Sequence, residues 1–569
     1  MLDIIINSTR VDLAANFGLT IEMVNPLFEY TLKSDSYSYP ITLPASDKNR
    51  RVFGFAHIPE SISGFTPLPC SIVCDGVLMV EGEFWVQRAD AQNYQGFVIG
   101  RYLPDKLLET PLRDIDLGGD VVVAYDMASM ISHGNDMTAY PWSGNRYAFF
   151  PMRNLRFMEP VSNNGTVNIY APHLDSFTWD QVVSSWEFPV VPFPYVMYIL
   201  GQIAEAAGLV LSGTWAADTE IKQLVVYNTF NLRNLTNWTI NVANHVPDIT
   251  VQDFIDALQS MFNIAIYVDK VAGKLVFDKR ALSAQALPKH DWTKQAAPHP
   301  IVEKPKNQFS GYLFTMERDE ADGLSIYPER LTNDYGYWVG SVPNAAALPL
   351  GAPRELVYWV EDERTWYKQR YQDNWVETRY YGFAHRLRVD NGQFPITTAA
   401  STLKSRFLSD ANGGPYTIGY WEALYPEADQ IGQDITKPEM MTDSEYSLRL
   451  LFYRGMRICN VPFPAPPTTD FYPMGAADVW EINGAQIGNY ALRWDGEFGL
   501  YETWYKDWLP IVQNAKTVSF SLRLSAAQLS LFRMTDKVVI DRNTYFVERL
   551  TIQMTVGGLK SVTAKCILA

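Results

Sequence analysis

Three aspartates in one short acidic segment come nearest in this chain to the spacing of a metal site. Asp114, Asp116 and Asp120 lie in the run RDIDLGGD, and hard cations such as Ca²⁺ bind where carboxylate oxygens cluster. A calcium loop that begins at Asp114 also needs a bidentate glutamate at its twelfth position, where this chain has Tyr125. We therefore interpret the segment as an acidic connecting loop and predict no metal ligand in it.

A second acidic run has the residue types of a glycosidase acid or base: Glu361, Asp362 and Glu363. Such enzymes need two carboxyl groups at a set separation across a cleft, so one acidic run is not sufficient and is interpreted as a solvated surface. Two nearby rings, Trp366 and Trp375, have the type that stacks on sugars. A carbohydrate-binding or carbohydrate-active protein that uses aromatic platforms is therefore the alternative function.

The remaining candidates for catalysis or metal binding lack a recognisable spacing. The sequence contains no G-x-S-x-G, H-E-x-x-H or G-x-x-x-x-G-K-[ST] motif, and no G-x-G-x-x-G between a strand and a helix. His290 and His299 are interpreted as loop residues, and Cys70 and Cys74, on one side of an alternating strand, as small buried residues. The sequence predicts no catalytic, cofactor-binding or metal-binding residue, no cofactor and no enzyme activity.

The composition indicates several β-rich domains. A chain of 569 residues exceeds what one hydrophobic core supports, which suggests roughly three to five domains. Aromatic residues make up 14%, with 16 Trp and 32 Tyr, and this favours half-buried sheets and large contact interfaces. The rings either stack on a sugar or partner or are buried, and burial is the favoured interpretation.

The charge balance argues against nucleic-acid binding. Asp and Glu number 63 against 47 Lys and Arg, a net charge of −16, and no basic stripe is present. An acidic surface is compatible with a channel that DNA passes without being held. The first ten residues do not resemble a secretory signal, and no apolar run approaches the ~20 residues of a membrane span. We therefore expect synthesis in the cytoplasm and no membrane span.

Residues 1–160 are predicted to form an N-terminal β domain, because short strands alternate there with turn residues. In Pro69 to Trp85, apolar residues flank Asp75-Gly76. This dipeptide supplies the positive φ angles of a tight hairpin turn.

Residues 161–285 are predicted to form an α+β domain of helices and a hairpin. One helical stripe consists of Val196, Ile199, Leu200 and Ile203, and Gly208 stands where a C-cap is expected. A strand follows at 209–212. A second helix starts at Thr250, which caps it together with Asp253. Its buried face consists of Phe254, Leu258, Met261 and Phe262. A hairpin then spans residues 264–277.

The rest of the chain is predicted to be mainly β. Residues 286–490 form a β-rich middle domain with insertions, and residues 491–569 form a β-barrel-like domain. The latter contains a short aromatic helix, residues 500–509, which Pro510 ends. Four strands follow at 517–524, 537–541, 544–556 and 559–568, with turns at Arg542-Asn543 and Gly557-Gly558. The predicted fold class is a β-rich α+β multidomain protein with β-barrel or sandwich domains at both ends.

Three parts of the sequence resemble tail proteins encoded by phages and prophages of Bacteroidetes-type bacteria. Tyr37 to Phe55 is similar to a strand and Leu-Pro turn followed by Asn-Arg-Arg in those proteins. The runs YVMYILGQIAEAAGL, VQDFIDALQSMFNIAIYVD and GKLVFD resemble the helix and hairpin unit of tail hub proteins. Leu492 to Leu529, followed by DKVVIDRNTYFVERL, resembles their closing barrel. Residues 285–490 align with none of these proteins.

The resemblance implies a structural virion protein of the phage tail, namely a tail-tip or baseplate hub. Such hubs are usually homotrimers whose paired β-barrels form a pseudo-sixfold ring. The implied partners are copies of the same chain, a tail tube or distal tail protein, a central spike or fibre protein and the tape-measure protein. The ring would hold the distal complex closed and line the passage for DNA ejection. A related contractile injection or gene-transfer particle would share this mechanism.

Overall fold

The computed structural model describes most of the chain up to residue 303 and again from residue 448, with shorter segments between. The residues left undescribed are 31–35, 62–64, 101–102, 125, 155–165, 172–173, 180–189, 229–231, 233–237, 304–310, 317–336, 348–355, 361–364, 372–373, 379–392, 399, 403, 410–414, 422–447, 461–468, 483–484, 495 and 514–515. Among the described residues, strands far outnumber helices, which confirms the predicted β-rich class. No helix found there is long and apolar enough to cross a bilayer.

The described helices are α1 (Asp47–Val52), α2 (Asp105–Leu108), α3 (Met127–Asp136), α4 (Val196–Ala206), α5 (Val251–Phe262), α6 (Arg280–Gln285), α7 (Leu509–Gln513) and α8 (Ala526–Leu531). The strands before residue 264 are β1 (Leu2–Ile6), β2 (Thr9–Arg10), β3 (Gly18–Val24), β4 (Ser36–Ser38), β5 (Ile41–Pro44), β6 (Leu68–Cys74), β7 (Val77–Ala89), β8 (Asn93–Gly100), β9 (Val121–Val123), β10 (Tyr147–Ala148), β11 (Met152–Asn154), β12 (Thr166–Val167), β13 (Tyr170–Ala171), β14 (Ser176–Phe177), β15 (Phe193–Pro194), β16 (Val210–Ser212), β17 (Leu224–Tyr227) and β18 (Trp238–Ile240). The later strands are β19 (Ile264–Asp269), β20 (Lys274–Lys279), β21 (His290–Asp291), β22 (Ile301–Glu303), β23 (Gly311–Met316), β24 (Tyr337–Val342), β25 (Leu356–Val360), β26 (Thr365–Tyr371), β27 (Asn374–Thr378), β28 (Gln393–Thr398), β29 (Ala400–Thr402), β30 (Lys404–Ser409), β31 (Pro415–Trp421), β32 (Leu448–Asn460), β33 (Thr469–Ala476), β34 (Trp480–Ile482), β35 (Ala485–Ile487), β36 (Thr517–Leu522), β37 (Lys537–Ile540), β38 (Asn543–Thr555) and β39 (Gly558–Leu568).

The chain divides into two compact units, and each unit is built from separate stretches of sequence. Unit 1 comprises residues 1–106, 263–308 and 504–569. Unit 2 comprises residues 107–262 and 309–503.

A 14-stranded sheet forms the framework of unit 1 and joins strands from distant parts of the sequence. Its main path runs β2-β1-β6-β7-β8-β4-β3-β38-β39-β36-β22, with β5, β21 and β37 attached beside that path. The antiparallel pairing of β3 with β38 makes the join, and it places Ile21 opposite Ile552. Strands from the beginning and the end of the sequence therefore share one hydrogen-bonded framework.

The alternation of side chains along these strands explains the core of unit 1. In β1, Leu2, Ile4 and Ile6 are buried while the residues between them are only half-buried. Because successive residues of a strand point to opposite faces, such a pattern gives the sheet one apolar face. Cys70 and Cys74 are buried on that face of β6, as predicted.

Tight turns join neighbouring strands of this sheet. Asp75 and Gly76, with φ angles of 50° and 79°, connect β6 to β7 and confirm the predicted hairpin. A similar turn joins β37 to β38 at Asp541 and Arg542, which have φ angles of 49° and 71°. The predicted Arg542-Asn543 turn was therefore one residue too late.

The C-terminal part of the sequence contains the four predicted strands, as β36 to β39. The aromatic helix predicted before them, residues 500–509, was wrong at its C-terminal end. One π-helical turn covers Tyr501–Tyr505, and Pro510 is the second residue of α7 instead of a terminator. A proline in the first turn of a helix removes no intrahelical hydrogen bond, so the fold accepts it there.

Two predicted helices of unit 2 are confirmed as α4 and α5. The buried side of α4 includes all four residues of the predicted stripe, and Gly208 just after it has a φ of 69°. At the start of α5, the Thr250 hydroxyl accepts a hydrogen bond from the Asp253 N–H, and the Asp253 carboxylate accepts one from the Thr250 N–H. This reciprocal pair is a capping box. The strands predicted after each helix are present as β16, in unit 2, and as the β19–β20 hairpin, in unit 1.

Candidate functional site

The three aspartates with calcium-like spacing do not converge on one point. The Asp116 carboxylate accepts a hydrogen bond from the Gly118 N–H at 2.9 Å, and the Asp120 carboxylate accepts one from Asn241 Nδ2 at 2.8 Å. Asp114 is exposed. Within the described residues, no group of three His, Cys, Asp or Glu side chains is arranged to hold a metal ion.

The two histidines occupy different surroundings. His299 lies on the surface with a φ of 70°, whereas His290 belongs to β21, so its interpretation as a loop residue was wrong. His290 Nε2 lies 3.2 Å from a carboxylate oxygen of Asp536. Lys289 donates to the other oxygen at 2.7 Å. Asp536 is buried, so two basic side chains and the Arg533 N–H at 3.3 Å replace its lost hydration.

A buried arginine, Arg280, connects three segments of unit 1. Its guanidinium donates to Asn263 Oδ1 at 2.9 Å and to the carbonyl oxygen of Glu29, and it lies 4.5 Å from the centre of the Tyr30 ring. Asn263 Nδ2 in turn donates to the carbonyl oxygen of Trp504 at 2.8 Å. Burial lowers the pKa of Arg280. An amide, a carbonyl and an aromatic ring thus contact this cation, and the Glu29 carboxylate opposes the lowering of its pKa. This is the geometry of a structural brace.

A buried ion pair between Glu220 and Arg454 is the corresponding structural brace in unit 2. The Glu220 carboxylate also accepts hydrogen bonds from the backbone N–H groups of Asn489, at 2.8 Å, and Tyr490, at 3.0 Å. Both charged side chains are almost completely buried. Every oxygen of the carboxylate is engaged, so no lone pair is directed at a ligand.

Neutral groups hold the other side of Arg454. Its Nη2 donates to the carbonyl oxygens of Asp478 and Tyr490, at 3.1 and 2.7 Å, and the guanidinium lies 4.4 Å from the centre of the Phe452 ring. Burial lowers the pKa of Arg454, and Glu220 opposes that shift. Gly488 is required beside it, because a Cβ there would overlap the guanidinium. This network stabilises unit 2 and offers no chemistry.

Most aromatic residues whose side chains the structure describes are buried or partly buried, whereas five are exposed: Tyr39, Phe55, Phe65, Tyr140 and Phe471. Unit 2 contains a cluster of packed rings in which Phe177 stacks on Trp179 at 4.4 Å and Phe150 stacks on Tyr453 at 5.8 Å. The tryptophans that are almost fully buried are Trp179, Trp215, Trp238, Trp292, Trp494, Trp504 and Trp508. Rings without an exposed face cannot stack on a sugar. The candidate platform rings, Trp366 and Trp375, have undescribed side chains, and Glu361, Asp362 and Glu363 lie outside the described residues.

The two units carry charges of opposite sign. Unit 1 contains 25 Lys and Arg against 20 Asp and Glu, a net charge of +5. Unit 2 contains 22 against 43, a net charge of −21. The acidic composition of the chain therefore comes entirely from unit 2, which sequence reasoning missed because each unit is discontinuous in the sequence.

Open strand edges are the remaining candidate for a functional surface. At one end of the sheet of unit 1, β22 exposes Ile301 and Val302, and β9 of unit 2 exposes Val122. A strand edge presents unpaired N–H and C=O groups, to which another chain can add a strand. The described polar clusters are structural, and the described edges are suited to contacts with other chains.

The solved structures that are similar to this chain include two tail proteins. One is the crystal structure of the prophage MuSo2 43 kDa tail protein from Shewanella oneidensis, with 7% identity and a TM-score of 0.33, covering 100% of this chain and 98% of that chain. The other is a tail protein from Neisseria meningitidis MC58, with 8% identity and a TM-score of 0.32, covering 100% and 96%. No family model and no curated protein matches the chain. With both TM-scores below 0.5, neither likeness supports a statement about function.

Proposed function

We propose that this protein is a structural component of a phage-type tail and forms the hub ring at the tail tip or baseplate. The proposal rests on one observation, namely which segments of the sequence contribute strands to the sheet of unit 1. Two of the segments that resemble tail hub proteins, Tyr37 to Phe55 and Asp536 to Leu550, contribute β4, β5, β37 and β38 to that one sheet. Segments that resemble one family at opposite ends of the sequence thus belong to the same framework.

The proposed role is mechanical. A homotrimer would join the tail tube or distal tail protein to a central spike or fibre and hold the distal complex closed until ejection. The sheet that both ends of the chain build together would be the ring-forming part. Acidic side chains along the passage would keep DNA or the tape-measure protein from adhering, because like charges repel. The site of action would be the virion, and the ring would need no turnover of a substrate.

Light scattering on the purified chain, followed by negative-stain images, tests this proposal. We expect a mass of three or six times 64.6 kDa and a ring with a central opening. A compact assembly without an axial opening would contradict the channel role, and a 64.6 kDa monomer at every concentration would contradict self-assembly of the ring.

A further inference from the structure

The free edge of β22 combines backbone and side-chain features of an assembly surface. On one side β22 pairs with β36, with Val302 opposite Val518. On its other side, no strand pairs with it in the part of the chain that the structure describes. Ile301 and Val302 are 64% and 62% exposed, although two adjacent apolar side chains normally favour burial. The backbone groups of this edge and two apolar side chains are therefore accessible.

Three exposed cations lie near this edge, together with two exposed acids, Glu303 in β22 itself and Asp291. Lys516 directly precedes β36, and Arg523 directly follows it. The Arg523 N–H donates to the carbonyl oxygen of Gln295 at 2.9 Å, which places Lys294 beside the same end. None of the three cations forms an ion pair within the described residues. Residues 263–308 and 504–569 together contain 17 basic and 8 acidic residues, so the cations belong to a basic part of unit 1.

The edge of β9 in unit 2 has the same length and the opposite charge. This strand pairs with β18 alone among the described strands, and Val122 at its centre is 61% exposed. Asp120 directly precedes β9, and Asp114 and Asp116 are exposed in the segment before it, where Arg146 donates to the carbonyl oxygen of Gly119 at 2.9 Å. Residues 107–262 contain 16 acidic and 6 basic residues.

We propose that β22 of one copy pairs along its free edge with β9 of a second copy. Both strands have three residues and an exposed valine at the centre, and their flanks carry opposite charges. The pairing would extend the sheet of unit 1 by the two strands β9 and β18 of the next copy. This inference rests on the proposed self-assembly and goes beyond it by naming the contacting strands.

The charges also decide the symmetry of the contact. If β22 paired with β22, the three cations of one copy would face those of the other, and like charges across an interface disfavour such a contact. Pairing β22 with β9 joins two different surfaces, which is a heterologous contact. Heterologous contacts generate rings when the rotation closes and filaments when it does not. The same two edges are therefore compatible with a closed ring, which forms if the rotation between neighbouring copies closes.

Charge reversal in the full chain tests the pairing. The basic-edge variant carries Lys294→Glu, Lys516→Glu and Arg523→Glu, and the acidic-edge variant carries Asp114→Lys, Asp116→Lys and Asp120→Lys. We expect each variant alone to associate at least tenfold more weakly than wild type by sedimentation velocity. The chain that carries both sets should recover association, because attraction is restored. The matched control reverses three exposed cations elsewhere in unit 1, Lys274, Arg542 and Lys560, and should associate like wild type.

A disulfide cross-link supplies a second test that does not depend on charge. Val122→Cys and Val302→Cys together should give covalent multiples of 64.6 kDa on mild oxidation, whereas either substitution alone should not. Circular dichroism and thermal unfolding establish that every variant is folded.

The outcomes separate the two proposals. An oligomeric wild type whose mass neither charge set changes would overturn the strand pairing and leave the hub ring standing. The same holds if the chain with both charge sets fails to recover while folded. A wild-type chain that stays monomeric at every salt and protein concentration would overturn both proposals.

Discussion

Units 1 and 2 of this protein carry opposite net charge, and each surrounds one buried arginine with different partners. Unit 1, at +5, surrounds its buried Arg280 with an amide, a carbonyl and an aromatic ring. Unit 2, at −21, gives its buried Arg454 a carboxylate partner. Removing one member of a buried ion pair leaves a charge without compensation, whereas removing a cation from neutral partners leaves only unpaired polar groups. The comparison therefore predicts how much free energy of unfolding each unit loses when one residue of its arginine network is replaced.

The largest effect is expected for Glu220→Gln in unit 2. The substitution keeps the shape of the side chain but leaves the Arg454 charge buried without its counter-charge, which costs about 3–5 kcal/mol. Urea unfolding followed by tryptophan fluorescence measures the loss. The double variant Glu220→Gln/Arg454→Met should regain part of it, because no buried charge remains, and Lys48→Gln, at an exposed ion pair with Asp12, should cost less than about 1 kcal/mol. A loss for Glu220→Gln as small as that control would contradict the contrast between the units.

A smaller loss of about 2–3 kcal/mol is expected for Arg280→Met in unit 1, because the groups left behind are a neutral amide and a neutral carbonyl. The same unfolding experiment applies, with the exposed Lys560→Gln as its control. If Arg280→Met cost more than Glu220→Gln, the type of partner would not be what distinguishes the two arginines.

The pH dependence of unit 2 is expected to follow from His245. Complete burial lowers the pKa of this histidine from 6.5 to about 3, so the folded state keeps it neutral. The unfolded state takes up a proton below pH 6.5, and stability is therefore full above that pH and falls as the pH drops towards 3. From these values the loss between pH 7.5 and 5 is about 2 kcal/mol.

Denaturation at both pH values measures that loss, and a His245→Gln variant should lack most of it. His133 contributes in the same direction, because burial lowers its pKa too. An unchanged pH dependence in His245→Gln would exclude this histidine as the main source.

The smallest effects compare one helix cap in each unit. Thr250 caps α5 in unit 2 and Ser525 caps α8 in unit 1, both with a capping box. Thr250→Ala and Ser525→Ala should each cost about 1 kcal/mol, because each leaves an N–H group of the first turn without its acceptor. Thr250→Ser and Ser525→Thr keep the hydroxyl and should cost much less. A large difference between the two alanine variants would show that the units differ in local helix stability as well as in buried charge.

Local features of the fold were predictable from the sequence because neighbouring residues determine them. The stripe and C-cap of α4, the capping box of α5 and the Asp75-Gly76 turn each depend on a few adjacent residues, and all are present. The type of the segment around Pro510 was less predictable, because a proline can either end a helix or occupy its first turn.

The long-range features were not predictable from one sequence. No local pattern pairs β3 with β38 or Glu220 with Arg454, since hydrogen bonding and charge pairing at such separations depend on the completed fold. The candidate surface at the edge of β22 was equally unpredictable from the sequence. Ile301 and Val302 resemble ordinary core residues in sequence, and only the sheet order places them at an open edge. One signal was available, because Pro298 and Pro300 before this short run are typical of a strand at the edge of a sheet.

The pairing of β3 with β38 has a consequence for synthesis. More than 500 residues separate the two strands, and ribosomes add about 5–20 residues each second. The partner of β3 is therefore made roughly 25–100 s after β3 itself. During that time the early strands have an unpaired edge, which is prone to adhere to other nascent chains. Chaperone binding to the nascent N-terminal segment would protect that edge, and the sheet of unit 1 can be completed only after β38 emerges.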